Sequence, residues 1–250
     1  MKWASIGAMI CVLWINALAG SGSLSGKSIG QIANDYPSFF LPANYTFGIW
    51  SLIYIGLIGF SLYQLSPYGS RNPRLPGLRI LWLLSCLLNS LWIIAFSFEW
   101  FGASLVIIAG LFVTLLLFNE RSASDPETLR TLDHTFVVYP FTLYLAWISV
   151  AVIVNSFQFF TYLELKGLGI SGEVWSVVMM AVAATFGVFM LLYRRAWLFP
   201  LVVAWALIGI GKRFDEIELI KYAAFSIAAL SVTAALFLSI WQRKLRVPSS

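Results

Sequence analysis

Eight stretches of 16 or more residues in this chain contain no Asp, Glu, Lys or Arg: residues 3–26, 36–70, 80–98, 100–119, 135–163, 174–193, 196–211 and 222–242. A bilayer core offers backbone N–H and C=O groups no water to bond, so charge-free apolar runs inside it fold as helices. About 20 residues of helix cross the hydrocarbon. Seven windows reach that length or close to it, and 196–211 is short. The sequence therefore predicts an all-α chain, a polytopic integral membrane helix bundle of about eight transmembrane helices. Composition agrees, with 60% hydrophobic residues against 11% charged, outside the range of soluble domains. The opening, Lys2 followed by an apolar run and Ala17-Leu-Ala19, also has the layout of a cleavable signal peptide. The charge topology uses the same segment as the first helix.

Lys2, Arg71, Arg74, Arg79, Arg121, Arg130, Arg194, Arg195, Arg243, Lys244 and Arg246 fall on one side of an eight-helix path, eleven of the 16 basic residues. Lys27, Lys166, Lys212, Arg213 and Lys221 fall on the other. By the positive-inside rule both termini are expected in the cytoplasm. The net charge of +5 is largely this orientation signal. No basic stripe interleaved with aromatics supports a nucleic-acid partner, so the expected partners are membrane lipid and a hydrophobic small molecule.

All eleven acidic residues also lie outside the charge-free windows. Proton relays, ion-coupled transport, voltage sensing and retinal linkage use ionisable groups within the membrane, and the sequence offers none. His134, the only histidine, sits beside Asp133 at a helix edge and reads as a solvated or capping residue. Cys11 and Cys86 lack metal-ligand or redox spacing and read as small hydrophobes. No hydrolase or nucleotide-binding motif is present, so no catalytic residues and no metal site are assigned.

Three helices carry the same kind of stripe. Phe47, Trp50 and Tyr54 recur at i, i+3, i+7 on the second span, Asn89, Trp92 and Phe96 on the third, each along one helix face. Tyr144, Trp147, Ala151 and Asn155 share a face of the fifth. On the expected topology all three stripes lie in the outer half of the membrane, with the tryptophans deeper than an interfacial belt. Asn89 and Asn155 are costly against lipid and are expected to face protein or a cavity. Aromatic faces of this kind suit a flat apolar ligand, with Ala151 leaving a notch. The polar segment Gly20 to Leu41 lies over the same ends as a lid, and Lys27 and Lys166 are the cations available to an acidic ligand at that mouth.

These residues resemble the tryptophan-rich sensory proteins, or translocator proteins (the TspO/MBR-like family). The fifth-helix pattern Pro-Tyr-x-x-Trp-x-Ser-x-Ala-x-x-x-Asn is matched by Tyr144, Trp147, Ser149, Ala151 and Asn155, with Leu143 in the proline position. The second helix is similar through Phe47-Gly-Ile-Trp50-Ser-Leu-Ile-Tyr54, and the third through Leu88-Asn89-Ser-Leu-Trp92. The resemblance implies a five-helix translocator-protein-like core over residues 1–157, often dimeric, with 158–250 as a three-helix membrane extension, long for the family. It implies tetrapyrrole binding, protoporphyrin IX or haem, with no cofactor required, and in some bacterial relatives light-dependent porphyrin breakdown at the tryptophans matching Trp50 and Trp147. The bacterial cytoplasmic membrane is the expected location. A receptor, sensor or carrier is the leading expectation. A structural or assembly subunit of a larger membrane complex and a transporter of lipophilic solutes stand as alternatives. Ala151→Leu is expected to fill the notch and weaken ligand binding several-fold; an unchanged dissociation constant would place the ligand elsewhere.

Overall fold

The computed structural model describes residues 2–123, 129–165 and 169–244, the last five by backbone alone. Among these the regular elements are helical: α1 (Lys2–Gly20), α2 (Ile29–Asp35), α3 (Ile49–Tyr63), α4 (Pro67–Ser70), α5 (Leu75–Ser97), α6 (Phe101–Ser122), α7 (Thr131–Asp133), α8 (Tyr139–Tyr162), α9 (Gly172–Arg194), α10 (Leu198–Arg213) and α11 (Glu218–Lys244). Among the described residues seven helices are long and apolar enough to cross a membrane, where the sequence suggested about eight. The difference is α10. Its 16 residues reach only about 24 Å at 1.5 Å per residue, short of a hydrocarbon core about 30 Å thick.

The chain packs as two units, Met1–Pro37 with Gly48–Glu164, and Ser38–Phe47 with Leu165–Ser250. In the first, α1 packs on α3 and α5, α5 on α6, α6 on α8, and α8 on α3. These five long helices close a ring. Helix α8 is its most enclosed member, with every residue from Phe141 to Val150 buried.

Small residues set the closest approach. A Cβ on Gly56 of α3 would come within 2.9 Å of the Pro140 ring, and one on Gly59 within 3.2 Å of Phe136. Pro140 lacks an N–H and cannot complete an ordinary helical ladder. The preceding turn, His134–Val138, is π-helical, a register shift of the kind that single turns inside long helices adopt. Next to this contact Phe141 stacks on Phe118 and meets Phe60 edge-on at 4.9 Å, and Trp82 packs edge-on against Phe60 at 5.6 Å.

In the second unit α9, α10 and α11 pack on one another in all three pairings, with α10 the most enclosed. Gly187 lets α9 approach the start of α10, since a Cβ there would lie 3.3 Å from Pro200 Cα. The segment Ser38–Phe47 is bound to this unit by main-chain bonds. The Ala43 N–H donates to the Gly209 carbonyl at 3.1 Å, the Trp205 indole N–H to the Thr46 carbonyl at 3.0 Å, and the Ser176 hydroxyl to the Phe39 carbonyl at 2.6 Å. Tyr45 packs edge-on against Trp205 at 5.5 Å. Gly209 is required at its position because any Cβ would strike the Thr46 side chain and come within 3.1 Å of Pro42. Gly209→Val is expected to destabilise the unit by roughly 1–3 kcal/mol through overpacking and to accelerate amide exchange of Ala43 and Thr46. Unaltered exchange at those two amides would show that the segment is not held there.

Candidate functional site

The first unit brings together rings from three helices. Trp50 of α3 stacks on Tyr54 at 5.4 Å and on Trp92 of α5 at 6.4 Å, and meets Tyr144 of α8 edge-on at 5.8 Å. Phe96 leans on Trp92 at 6.0 Å. Spacing explains the convergence: residues at i and i+4 project from one helix face, so the α3 and α5 stripes each deliver two rings to the same place and α8 adds Tyr144. Each such ring pair contributes about 0.5–1.5 kcal/mol beyond the area it buries.

An amide holds the rings in place. Asn89 donates from Nδ2 to the Tyr144 hydroxyl at 2.9 Å and accepts at Oδ1 from Asn16 Nδ2 of α1, also at 2.9 Å. Asn16 in turn donates to the Val12 carbonyl. Four consecutive hydrogen-bonding groups thus run from α1 through α5 to α8. The indole N–H of Trp92 is the exception, buried in the cluster without a hydrogen-bond partner. A buried donor left this way costs about 1–3 kcal/mol.

The other expected site residues divide. Trp147 is buried one turn beyond Tyr144, and Ala151 is half-buried a turn further. Asn155 points to a different neighbour, exchanging hydrogen bonds with the Ser104 hydroxyl of α6 at 3.0 and 3.1 Å. It braces α6 against α8, together with the Thr142 hydroxyl donating to Asn119 Oδ1 at 3.1 Å. Phe47 falls in the 3-10 turn Asn44–Gly48 and belongs to the second unit.

The polar segment after α1 forms α2, begun by a capping box in which the Gln31 N–H donates to Ser28 Oγ and the Ser28 N–H to Gln31 Oε1. Ile32 and Ala33 are its buried face. A polar latch ties this short helix to the turn between α5 and α6. Lys27 Nζ lies 2.7 Å from Asp35 and 3.5 Å from Glu99, and the Tyr36 hydroxyl donates to Glu99 Oε2 at 2.7 Å. Lys27 is therefore paired with two carboxylates, not held free for a ligand. Lys166 lies outside the described residues. From the latch, ring contacts run inward: Tyr36 on Phe101 at 4.6 Å, Phe101 on Phe96 at 5.5 Å, and Phe96 on Trp92.

Sequence reasoning missed Asn16, Ser104 and the Tyr36 and Glu99 latch. The first two were legible as polar residues within apolar windows. Glu99 gave only a weak signal, a single carboxylate between two windows; its φ of 59° marks a tight turn that favours glycine.

The family model for TSPO-like proteins matches residues 2–237. The chain belongs to the TSPO-like protein family. It is an integral membrane protein, and the family match runs through α9 and α10 into α11, so it takes in the segment beyond the five-helix ring. No curated protein and no solved structure gives a significant match.

The latch has a defined pH response. The Lys27 amine is raised above its ordinary value chiefly by the Asp35 carboxylate, and the Tyr36 phenol by its hydrogen bond to Glu99. Groups with raised folded-state values contribute fully below their ordinary pKa, near 10 for both, and lose that contribution as the pH climbs through the raised values. A spin label at Ser25 is expected to be immobile at pH 7 and to gain mobility only as the pH climbs past those ordinary values. Glu99→Gln should be mobile already at pH 7. A label whose motion is the same in both proteins at every pH would dismiss the latch.

Proposed function

We propose that this TSPO-like protein binds a flat hydrophobic ligand, a tetrapyrrole of the protoporphyrin IX or haem type, among α3, α5 and α8, and acts as its receptor, sensor or carrier. The observation that carries this reading is the buried, unpartnered indole N–H of Trp92 within a cluster of stacked rings. Such a cluster gains by admitting a planar π system that replaces ring-on-ring contacts with ring-on-ligand contacts of similar strength. An acceptor on that ligand would also satisfy the orphan donor. Trp50 and Trp92 stack, Tyr54 and Tyr144 form the wall, Asn89 holds Tyr144, and the ligand's acidic groups stay at the watery end near the latch. Light-dependent breakdown of a bound porphyrin at Trp50 and Trp147 is part of the same proposal.

We place the protein in a bacterial cytoplasmic membrane with both termini cytoplasmic, on the asymmetry of its basic residues along an eight-span path, which requires the short α10 to cross in a thinned stretch of bilayer.

Titration of the detergent-purified full chain with protoporphyrin IX, and separately with haem, is expected to give saturable quenching of tryptophan fluorescence. Trp92→Phe should weaken binding roughly five- to tenfold, about 1 to 1.4 kcal/mol from one aromatic contact, and Trp50→Phe with Trp147→Phe should abolish any light-dependent loss of the porphyrin band. Quenching that never saturates, or that is the same in Trp92→Phe, would remove the ligand site and favour an assembly subunit, sought then as a stoichiometric partner after mild solubilisation.

A further inference from the structure

A second set of buried polar groups lies in the first unit, where α3 ends and α5 begins. Gln64 caps the C-terminus of α3 and is fully buried, and Arg79, in the second turn of α5, is 8% exposed. Arg79 Nε donates to Gln64 Oε1 at 2.9 Å. That bond uses the only acceptor on the Gln64 side chain, and its Nε2 donor has no partner. Among the described residues Arg79 forms no ion pair.

The mismatch has one sign. A guanidinium remains charged at any pH a protein meets and presents five N–H donors in a planar fork, while the primary amide adds two more. Burying such a cation without a counter-charge is strongly unfavourable. Asp133, the carboxylate bonded to Tyr63 beside Gln64, is already engaged: its Oδ1 accepts from the Tyr63 hydroxyl and from Asn72 Nδ2, both at 2.6 Å, and its Oδ2 from the Arg130 N–H at 3.1 Å. Donors are in excess, and what is missing is an anionic acceptor.

We propose that Arg79 and Gln64 form a binding site for a phosphate-type oxyanion. Tetrahedral oxyanions match the guanidinium fork with two parallel hydrogen bonds, and one further oxygen can accept from Gln64 Nε2. The position identifies where such a group would come from. Gln64 and Arg79 sit at helix ends, beside a connection in which Lys2 Nζ donates to Ser70 Oγ at 2.7 Å and which also carries Arg71 and Arg74. Basic clusters of this kind at a bilayer surface attract anionic lipid headgroups. A lipid phosphate and free inorganic phosphate share the recognised chemistry, and the test separates them.

The full chain, stripped of lipid in detergent, would be followed by its thermal unfolding midpoint with added dioleoylphosphatidylglycerol, with dioleoylglycerol, which lacks the phosphate, or with inorganic phosphate. Stabilisation by the phospholipid alone assigns a headgroup site, and stabilisation by inorganic phosphate as well assigns a site for the free ion. Arg79→Gln should remove the response. Because that variant loses a buried group and is at risk of misfolding, Gln64→Glu is the sharper change. It supplies a carboxylate to the Arg79 guanidinium, so the lipid-free protein should melt higher than the parent and gain nothing further from either phosphate source. Equal midpoints with phosphatidylglycerol and diacylglycerol in the parent and no effect of inorganic phosphate, or an undiminished phosphate response in Gln64→Glu, would overturn the proposal.

Discussion

Everything in the five-helix ring depends on the fact that a bilayer supplies no hydrogen-bond partners. A polar side chain within it must find its complement on another helix, and where it does, it fixes how the two helices are rotated. Asn16, Asn89 and Tyr144 join α1, α5 and α8 in one chain of hydrogen bonds. Ser104 with Asn155, and Asn119 with Thr142, join α6 to α8 at two separate levels. Helix α8 is thus pinned on two sides by amides and hydroxyls. The rotation that satisfies them is the one that turns Tyr144 toward Trp50. Apolar packing alone would leave this rotation weakly determined, because one leucine face fits against lipid or protein about equally well. The polar pairs select the face, and the aromatic cluster is a consequence.

That dependence explains what the sequence made legible. Charge-free windows located the long helices because the cost of a charge in hydrocarbon is large and local. Helical spacing placed Trp50, Tyr54, Asn89, Trp92 and Tyr144 together because three stripes at the same depth have few ways to meet. Asn155 shares a stripe with Tyr144 and yet faces α6, since a helix enclosed on all sides has no single inward face and angular proximity on a wheel does not name the neighbour. Lys27 read as a free cation because its partners, Asp35 and Glu99, lie 8 and 72 positions away, and the turn that presents Glu99 leaves no periodic trace. The shortness of α10 was visible, but whether a short apolar helix crosses a membrane is a matter of its surroundings.

The segment between α2 and α3 raises a different point. A continuous polar loop from Gly20 to Leu41 reads as one lid, whereas its packing is divided. Residues up to Pro37 belong with the five-helix ring, and Ser38–Phe47 belongs with α9, α10 and α11. Nothing in the composition of Ser38–Phe47 announces this, because the bonds that hold it are made by its backbone carbonyls and N–H groups to Gly209, Trp205 and Ser176. The segment re-enters the ring at Gly48, two residues before Trp50. The stretch held by α9, α10 and α11 therefore precedes the aromatic residues of α3 directly in sequence. The family match runs through the same helices.

Charge placement then limits what the aromatic cluster can do. Its members are neutral, and the lysine at the latch is neutralised by two carboxylates. A site of that kind cannot couple ligand movement to a proton or ion gradient through its own titration, since no group within it changes charge on binding. Its selectivity must come from shape, stacking and one or two hydrogen bonds, which favour rigid planar molecules over flexible ones because little conformational entropy is lost on binding. For a ligand of the proposed kind an acidic substituent is best left in water, which would set its apolar edge in the cluster and its charged edge toward the latch. On the proposed reading, the latch at α2 is the element whose stability a bound ligand can bias, and a site built that way is suited to reporting occupancy more than to driving transport.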